Sequence, residues 1–113
     1  MSEAGNSILD AALTQFSNRE VREIPFPEWG DDLVFYVSPM TVSEADQVNK
    51  ATKRGGEFEG MLTAITLKCC DADGQRLFGT GDKAKLRKLD SGQVVRLAGK
   101  VMHSLSFEDM EGN

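Results

Sequence analysis

Residues 20–39, EVREIPFPEWGDDLVFYVSP, decide how this chain folds. From Glu20 to Phe26 and again from Leu33 to Ser38 the composition turns to Val, Ile, Phe and Tyr, the side chains that suit a pleated surface. Between the two runs, Pro27, Gly30 and the pair Asp31-Asp32 supply turn chemistry, so the simplest connection is an antiparallel hairpin. In the second strand Leu33, Phe35 and Val37 share one face and Val34 and Tyr36 the other, so both faces are apolar. A lone hairpin is not stable in water, and helices must cover this one.

The flanking sequence provides them. Pro39 stops the second strand, and Thr41 with Glu44 forms a capping box that starts a helix running to about Lys53. Its apolar stripe, Val42, Ala45 and Val48, is narrow, and Met40 is placed to staple against Ala45. Arg54-Gly55-Gly56 ends it. Phe58, Met61, Leu62, Ile65 and Cys69 then mark a wider stripe, which makes the third helix the principal core helix.

Asp71-Ala72-Asp73-Gly74 is a turn, Leu77 and Phe78 are anchors, and Thr80 is a candidate cap for a short basic helix ending near Leu89. Asp90 with Gln93 forms a second capping box, followed by Val94, Leu97, Ala98, Val101, Met102 and Leu105 at helical period. Upstream, Ser7 is a candidate cap for a short amphipathic helix to Asn18, bearing Ile8, Leu9, Ala12, Leu13 and Phe16. A helix of that length must dock on the domain or on a partner to be stable.

The expected fold is therefore α+β, one small domain in which a β-hairpin packs against four to five helices. Residues 1–19 form an N-terminal helix and arm, 20–107 the domain, and 108–113 a disordered acidic tail. A chain of 113 residues, 40% hydrophobic and 27% charged, is sufficient for a single core.

Charge limits the partners. The formal net charge is -5 and the pI about 4.8, a surface that repels phosphate backbones. The cluster Lys83, Lys85, Arg87 and Lys88 has Asp82 and Asp90 beside it and no aromatic to stack a base, and reads as a solvated helix face. Nucleic acid is not an expected partner. No apolar run approaches the roughly 20 residues of a membrane span, and Met1-Ser2-Glu3 lacks the basic start of a signal peptide, so no membrane partner is expected either. Cys69 and Cys70 are adjacent, cannot close a useful loop with each other, and are expected as reduced structural thiols.

Catalytic constellations are weak. The single histidine, His103, sits in the last helix, and the cysteines lack the cationic surroundings that activate a thiol. Asp71-x-Asp73-Gly74 has its glycine too early for a calcium loop and Asp82 where a closing Glu belongs. Gly79-x-Gly81-x-x-x-Lys85 lacks the Gly-Lys-Ser/Thr ending of a phosphate loop. The reading is a binding protein, with no enzyme activity, no cofactor and no metal. Trp29 sits in a polar turn near Phe26 and Tyr36, with Met residues at 40, 61 and 102, a set suited to an adaptable apolar interface. Trp29 also fits the role of a lid folded over the hairpin core, and the two readings stand side by side.

Residues Ile24 to Gly30, Val34 to Val37, then Pro39, Met40, Thr41 and Glu44, followed by Leu67, Cys70 to Gly74 and Leu77-Phe78, carry a family resemblance in order and spacing. About two-thirds of the chain resembles the tail assembly chaperones of long, noncontractile-tailed (lambdoid) phages, with a Pro-Glu-Trp-Gly turn, a strand, a Pro-Leu-Thr helix start and an acidic Gly turn before Leu-Phe. Ser38 stands where the family often has Arg, and Met40 where it has Leu, so no role for that Arg carries over.

The resemblance implies a self-associating protein of the host cytoplasm, absent from the mature virion, that binds the tape measure protein, keeps it soluble and promotes tube assembly around it. It also implies a frameshifted longer product that recruits the major tail tube protein. On this reading Trp29, Tyr36, Met40, Val42 and Val48 engage a tape measure helix. The alternative is a structural minor tail or head–tail connector protein retained in the particle.

Overall fold

A computed structural model of the chain describes residues 3–17 and 21–103, with side chains for 5–15 and 21–102. Asn18, Glu20, Leu105, Phe107 and the acidic stretch 108–113, to which several of the boundaries above refer, lie outside the described residues.

The hairpin forms as read. Strands β1 (Arg22–Pro25) and β2 (Val34–Val37) pair antiparallel with Ile24 opposite Phe35 and Arg22 opposite Val37. A 3-10 turn over Pro27–Trp29 begins the connection, Gly30 N–H donates to the Pro27 carbonyl, and Phe26 N–H closes the loop on Leu33 O at 2.9 Å. Because hydrogen-bonded and open positions alternate along an antiparallel strand, Pro25 falls where its missing N–H costs nothing. Its carbonyl is met by Lys100 Nζ at 3.2 Å, so the outer edge of the sheet is blunted by a proline and a lysine.

A third strand was not expected from the sequence. Cys69, the last position of the apolar stripe, and Cys70 form β3 and extend the sheet in the order β1-β2-β3, with Tyr36 opposite Cys70 and Val37 opposite Cys69. Two residues carry no readable period of 2, which is why the strand was hidden inside an apolar helical run.

Five helices accompany the sheet, among the described residues: α1 (Glu3–Ser17), α2 (Val42–Gly55), α3 (Glu57–Lys68), α4 (Lys83–Leu86) and α5 (Ser91–His103). α1 begins ahead of Ser7, so Ser7 lies inside the helix and caps nothing; Glu3 and Ala4 are good helix formers, and an acid at the N-terminal end suits the helix dipole. α2 starts at the expected capping box: Thr41 N–H donates to Glu44 Oε1 at 2.9 Å and Glu44 N–H to Thr41 Oγ1 at 3.0 Å. Gly56, at φ 93°, turns the chain from α2 into α3 in a conformation that favours glycine.

α3 is the centre of the molecule, packed against α2 on one side and α5 on the other. Its Leu62, Ala64 and Ile65 join Ile24, Phe26, Phe35 and Val37 from the sheet and Val94, Leu97, Ala98 and Val101 from α5 in one continuous core. Leu86 is the single core contribution of α4. The short basic helix is not capped by Thr80: a 3-10 turn over Thr80–Asp82 leads into it, and the Asp82 carboxylate accepts from Gly79 N–H at 2.8 Å.

Candidate interaction surface

The Asp71 turn, the two thiols and the basic cluster are each occupied by structure, while the His103 side chain lies outside the described residues. Asp71 Oδ1 accepts from the backbone N–H groups of Asp73 and Gln75 at 2.9 and 3.0 Å, while Gly74 takes φ 83°. The carboxylate is thereby committed to its own turn. Among the described residues no group of three or more His, Cys, Asp or Glu side chains is arranged to hold a metal.

Both thiols are free and buried. Burial pushes Cys69 up to about 12, with the neighbouring Cys70 adding to the effect. Cys70 is raised too, first by burial, and its Sγ lies 3.3 Å from the Tyr36 carbonyl. Thiols held in the neutral form are poor nucleophiles.

The basic cluster is not simply a solvated face. Lys83 Nζ donates to Glu59 Oε2 at 2.8 Å and to Thr63 Oγ1 at 3.0 Å, and Arg87 pairs with the other oxygen of Glu59. Two cations, Lys83 in α4 and Arg87 just past its end, span one carboxylate of α3, and those hydrogen bonds hold the Glu59 carboxyl below its ordinary value. Lys85 and Lys88 stay exposed, as the sequence reading has them.

The structure separates the five candidate contact residues by depth. Trp29 is half-buried: its ring stands edge-on to Phe26 and Phe35, with centroids 5.1 and 5.8 Å apart, and its indole N–H is bonded to Gln93. That is the lid arrangement. Val48 is only 7% exposed and belongs to the core. Tyr36 and Met40 are half-buried, and Val42, at 89% exposed, is the only one of the five that offers most of its side chain to a partner.

Other large apolar side chains are also exposed. Phe58 and Leu89 rim a pocket whose wall includes Leu62, Leu86 and Val94, and Ile8, Leu9 and Leu13 stand out from α1. The spacing of Phe58 matches the core stripe of α3, but the residue lies in the first turn of that helix and is 43% exposed. Helical period tells which side of a helix is apolar, not how far along it the neighbours extend.

No family model matches the sequence, and no curated protein matches it. Among solved structures, the fold is similar to that of the bacteriophage HK97 tail assembly chaperone, with a TM-score of 0.59 over 83% of this chain and 93% of that chain, at 14% identity. The likeness is one of fold.

Proposed function

We propose that the chain is a phage tail assembly chaperone that binds the tape measure protein, keeps its long apolar helices soluble and promotes tube assembly around it. The observation that carries the reading is the shared fold, which spans nearly the whole of the HK97 chaperone chain. The sequence blocks around Trp29 and Asp71 and the exposed apolar side chains add support. On this reading Tyr36, Met40 and Val42 touch the partner helix, while Trp29 and Val48, turned toward the core, hold that surface in shape. Helix-in-groove binding through apolar anchors is the corresponding mode.

The protein acts in the host cytoplasm, self-associates, and leaves before the particle is complete; a longer frameshifted product brings in the major tail tube protein. It works without cofactor and without catalysis. The test is co-expression with a long apolar helical segment of the tape measure protein made by the same genome, read as that segment's soluble fraction. A soluble complex weakened by Val42→Lys is the expected result. Continued aggregation of the segment, with this chain found by mass spectrometry in purified particles, would replace the chaperone with a structural tail or connector protein.

A further inference from the structure

Two features are left over once the core is assembled. The first is α1, which is exposed on every side from Asn6 to Gln15; Ile8 is 68% and Leu9 50% exposed. A helix of this length is marginal in water by itself, and an apolar stripe stabilises a helix only when it is covered. The second is a groove of about 560 Å³ between β1 and α5, walled by Arg22, Ile24, Pro25, Arg96, Gly99 and Lys100. A Cβ at Gly99 would meet no atom within 4 Å, so the α5 side of the groove stands open where a side chain from elsewhere can enter.

We propose that this groove receives α1 of a second copy of the chain, with Ile8 and Leu9 laid against Gly99 and the β1 wall. The inference rests on the self-association in the function proposed above and names its surface. Size agrees: α1 is roughly 22 Å long and α5 roughly 20 Å, so one lies along the other. A cavity of about 150 Å³ takes a benzene ring, so this groove has room for several aliphatic side chains.

Charge agrees as well. Residues 1–18 contain Glu3 and Asp10 and no Lys or Arg. The groove brings Arg22, Arg96 and Lys100 against Glu23, with Glu28 pairing Arg96 at 3.0 Å, and so is net positive in a chain of net charge -5. Opposite local charge on the two pieces guides their encounter and sets their register.

A second copy, rather than the same chain, is the donor because the chain's own α1 does not occupy the groove: its side chains from Asn6 to Gln15 stand exposed and none of them lines it. Exchange between copies closes as a swapped pair or runs on as an open series.

Light scattering of the full chain over a range of concentrations tests this with three variants. Ile8→Gln with Leu9→Gln removes the apolar arm while keeping helix formers, Gly99→Leu fills the groove from an open helical position, and Asp10→Lys reverses charge at an exposed site. The wild-type protein is expected to associate with rising concentration. The arm and groove variants alone are expected to stay monomeric over at least a tenfold wider range with unchanged circular dichroism, and their equimolar mixture to associate again, since one copy keeps its arm and the other its groove. Asp10→Lys should weaken association and lessen its salt sensitivity.

A monomeric wild type would overturn this proposal and the self-association it rests on. Association undiminished in all three variants would overturn the arm alone and leave self-association standing. Monomeric variants whose mixture stays monomeric would show that the arm and the groove are not each other's partners and overturn exchange.

Discussion

Trp29 Nε1 donates to the side-chain oxygen of Gln93 at 2.9 Å, joining residues 64 positions apart in the chain. Asp90 Oδ1 accepts from Gln93 N–H at 3.0 Å, as the capping box at the start of α5 requires. The Gln93 side chain meets the hairpin turn instead of completing that box. One residue therefore couples the start of α5 to the lid over Phe26 and Phe35.

This relationship separates stability from partner binding at Trp29. Trp29→Ala removes a large, partly buried ring and is expected to cost about 3 kcal/mol. Gln93→Leu leaves the indole N–H without its partner and costs about 1–2 kcal/mol. Trp29→Phe keeps most of the ring contact and loses only the bond, so it should resemble Gln93→Leu, and the double variant should cost little more than either alone. Urea melts of the four proteins check this; strict additivity would show that the bond contributes nothing.

At Gly60, α2 and α3 approach too closely for any side chain. A Cβ there would stand 1.9 Å from Thr52 Oγ1 and 3.1 Å from Thr52 Cβ. Gly60→Ala gains helix propensity of up to about 1 kcal/mol, but overpacking costs about 1–3 kcal/mol, so the variant is expected to be less stable. Thr52→Ala should recover part of the loss, because it clears the hydroxyl and leaves the Cβ. A Gly60→Ala protein that melts higher than wild type would show that the helices separate at little cost.

The hairpin, the Thr41 capping box and the core stripes of α3 and α5 are legible in the sequence because each depends on residues within a few positions of one another. What stays hidden depends on partners far along the chain. Lys68 interrupts an apolar run and reads as a charge at a helix end; in the fold it is 5% exposed and reaches the Pro39 carbonyl and Glu44. Glu59 likewise gives no sign that Lys83 and Arg87 will meet it. The candidate surface was least legible: Trp29 and Val48 are apolar in either role, and only packing distinguishes a residue turned inward from one such as Val42 that faces solvent.

Burial of the two thiols makes a further prediction. Native protein at pH 8 should react with neither thiol of an aromatic disulfide reagent's usual targets, Cys69 and Cys70, on a timescale that labels both after unfolding in urea. Cys69 is raised in the folded state to about 12 from an ordinary 9.0. Its neutral form therefore contributes stability that is complete below about pH 9 and is lost as pH rises toward 12. The urea midpoint should fall over that window, and Cys69→Ala should remove part of the fall. Rapid labelling of native protein would mean that β3 opens readily from β2.

At the acid end the group to test is Glu44. Lys68 Nζ lies 2.8 Å from its Oε1 and also donates to the Pro39 carbonyl at 3.0 Å, so one buried ammonium joins the end of α3 to the start of α2. Burial acts against the charged carboxylate, but the bonds from Lys68 and Thr41 N–H together with the Lys68 charge outweigh it, and the Glu44 carboxyl is held below its ordinary 4.5. A carboxyl lowered on folding contributes stability present above its unfolded value and lost as pH falls through its folded one. The urea midpoint is therefore expected to decline below about pH 4.5, with Glu59, lowered by Lys83 and Arg87, declining in the same range. Glu44→Gln retains a side-chain oxygen for Thr41 N–H but leaves Lys68 buried without its counter-charge. It should be about 3 kcal/mol less stable at pH 7 and show a shallower acid decline. Lys68→Met, which removes the buried charge itself, should be less damaging than Glu44→Gln. The reverse order would mean that the Lys68–Pro39 bond, rather than the ion pair, secures the junction of α2 and α3.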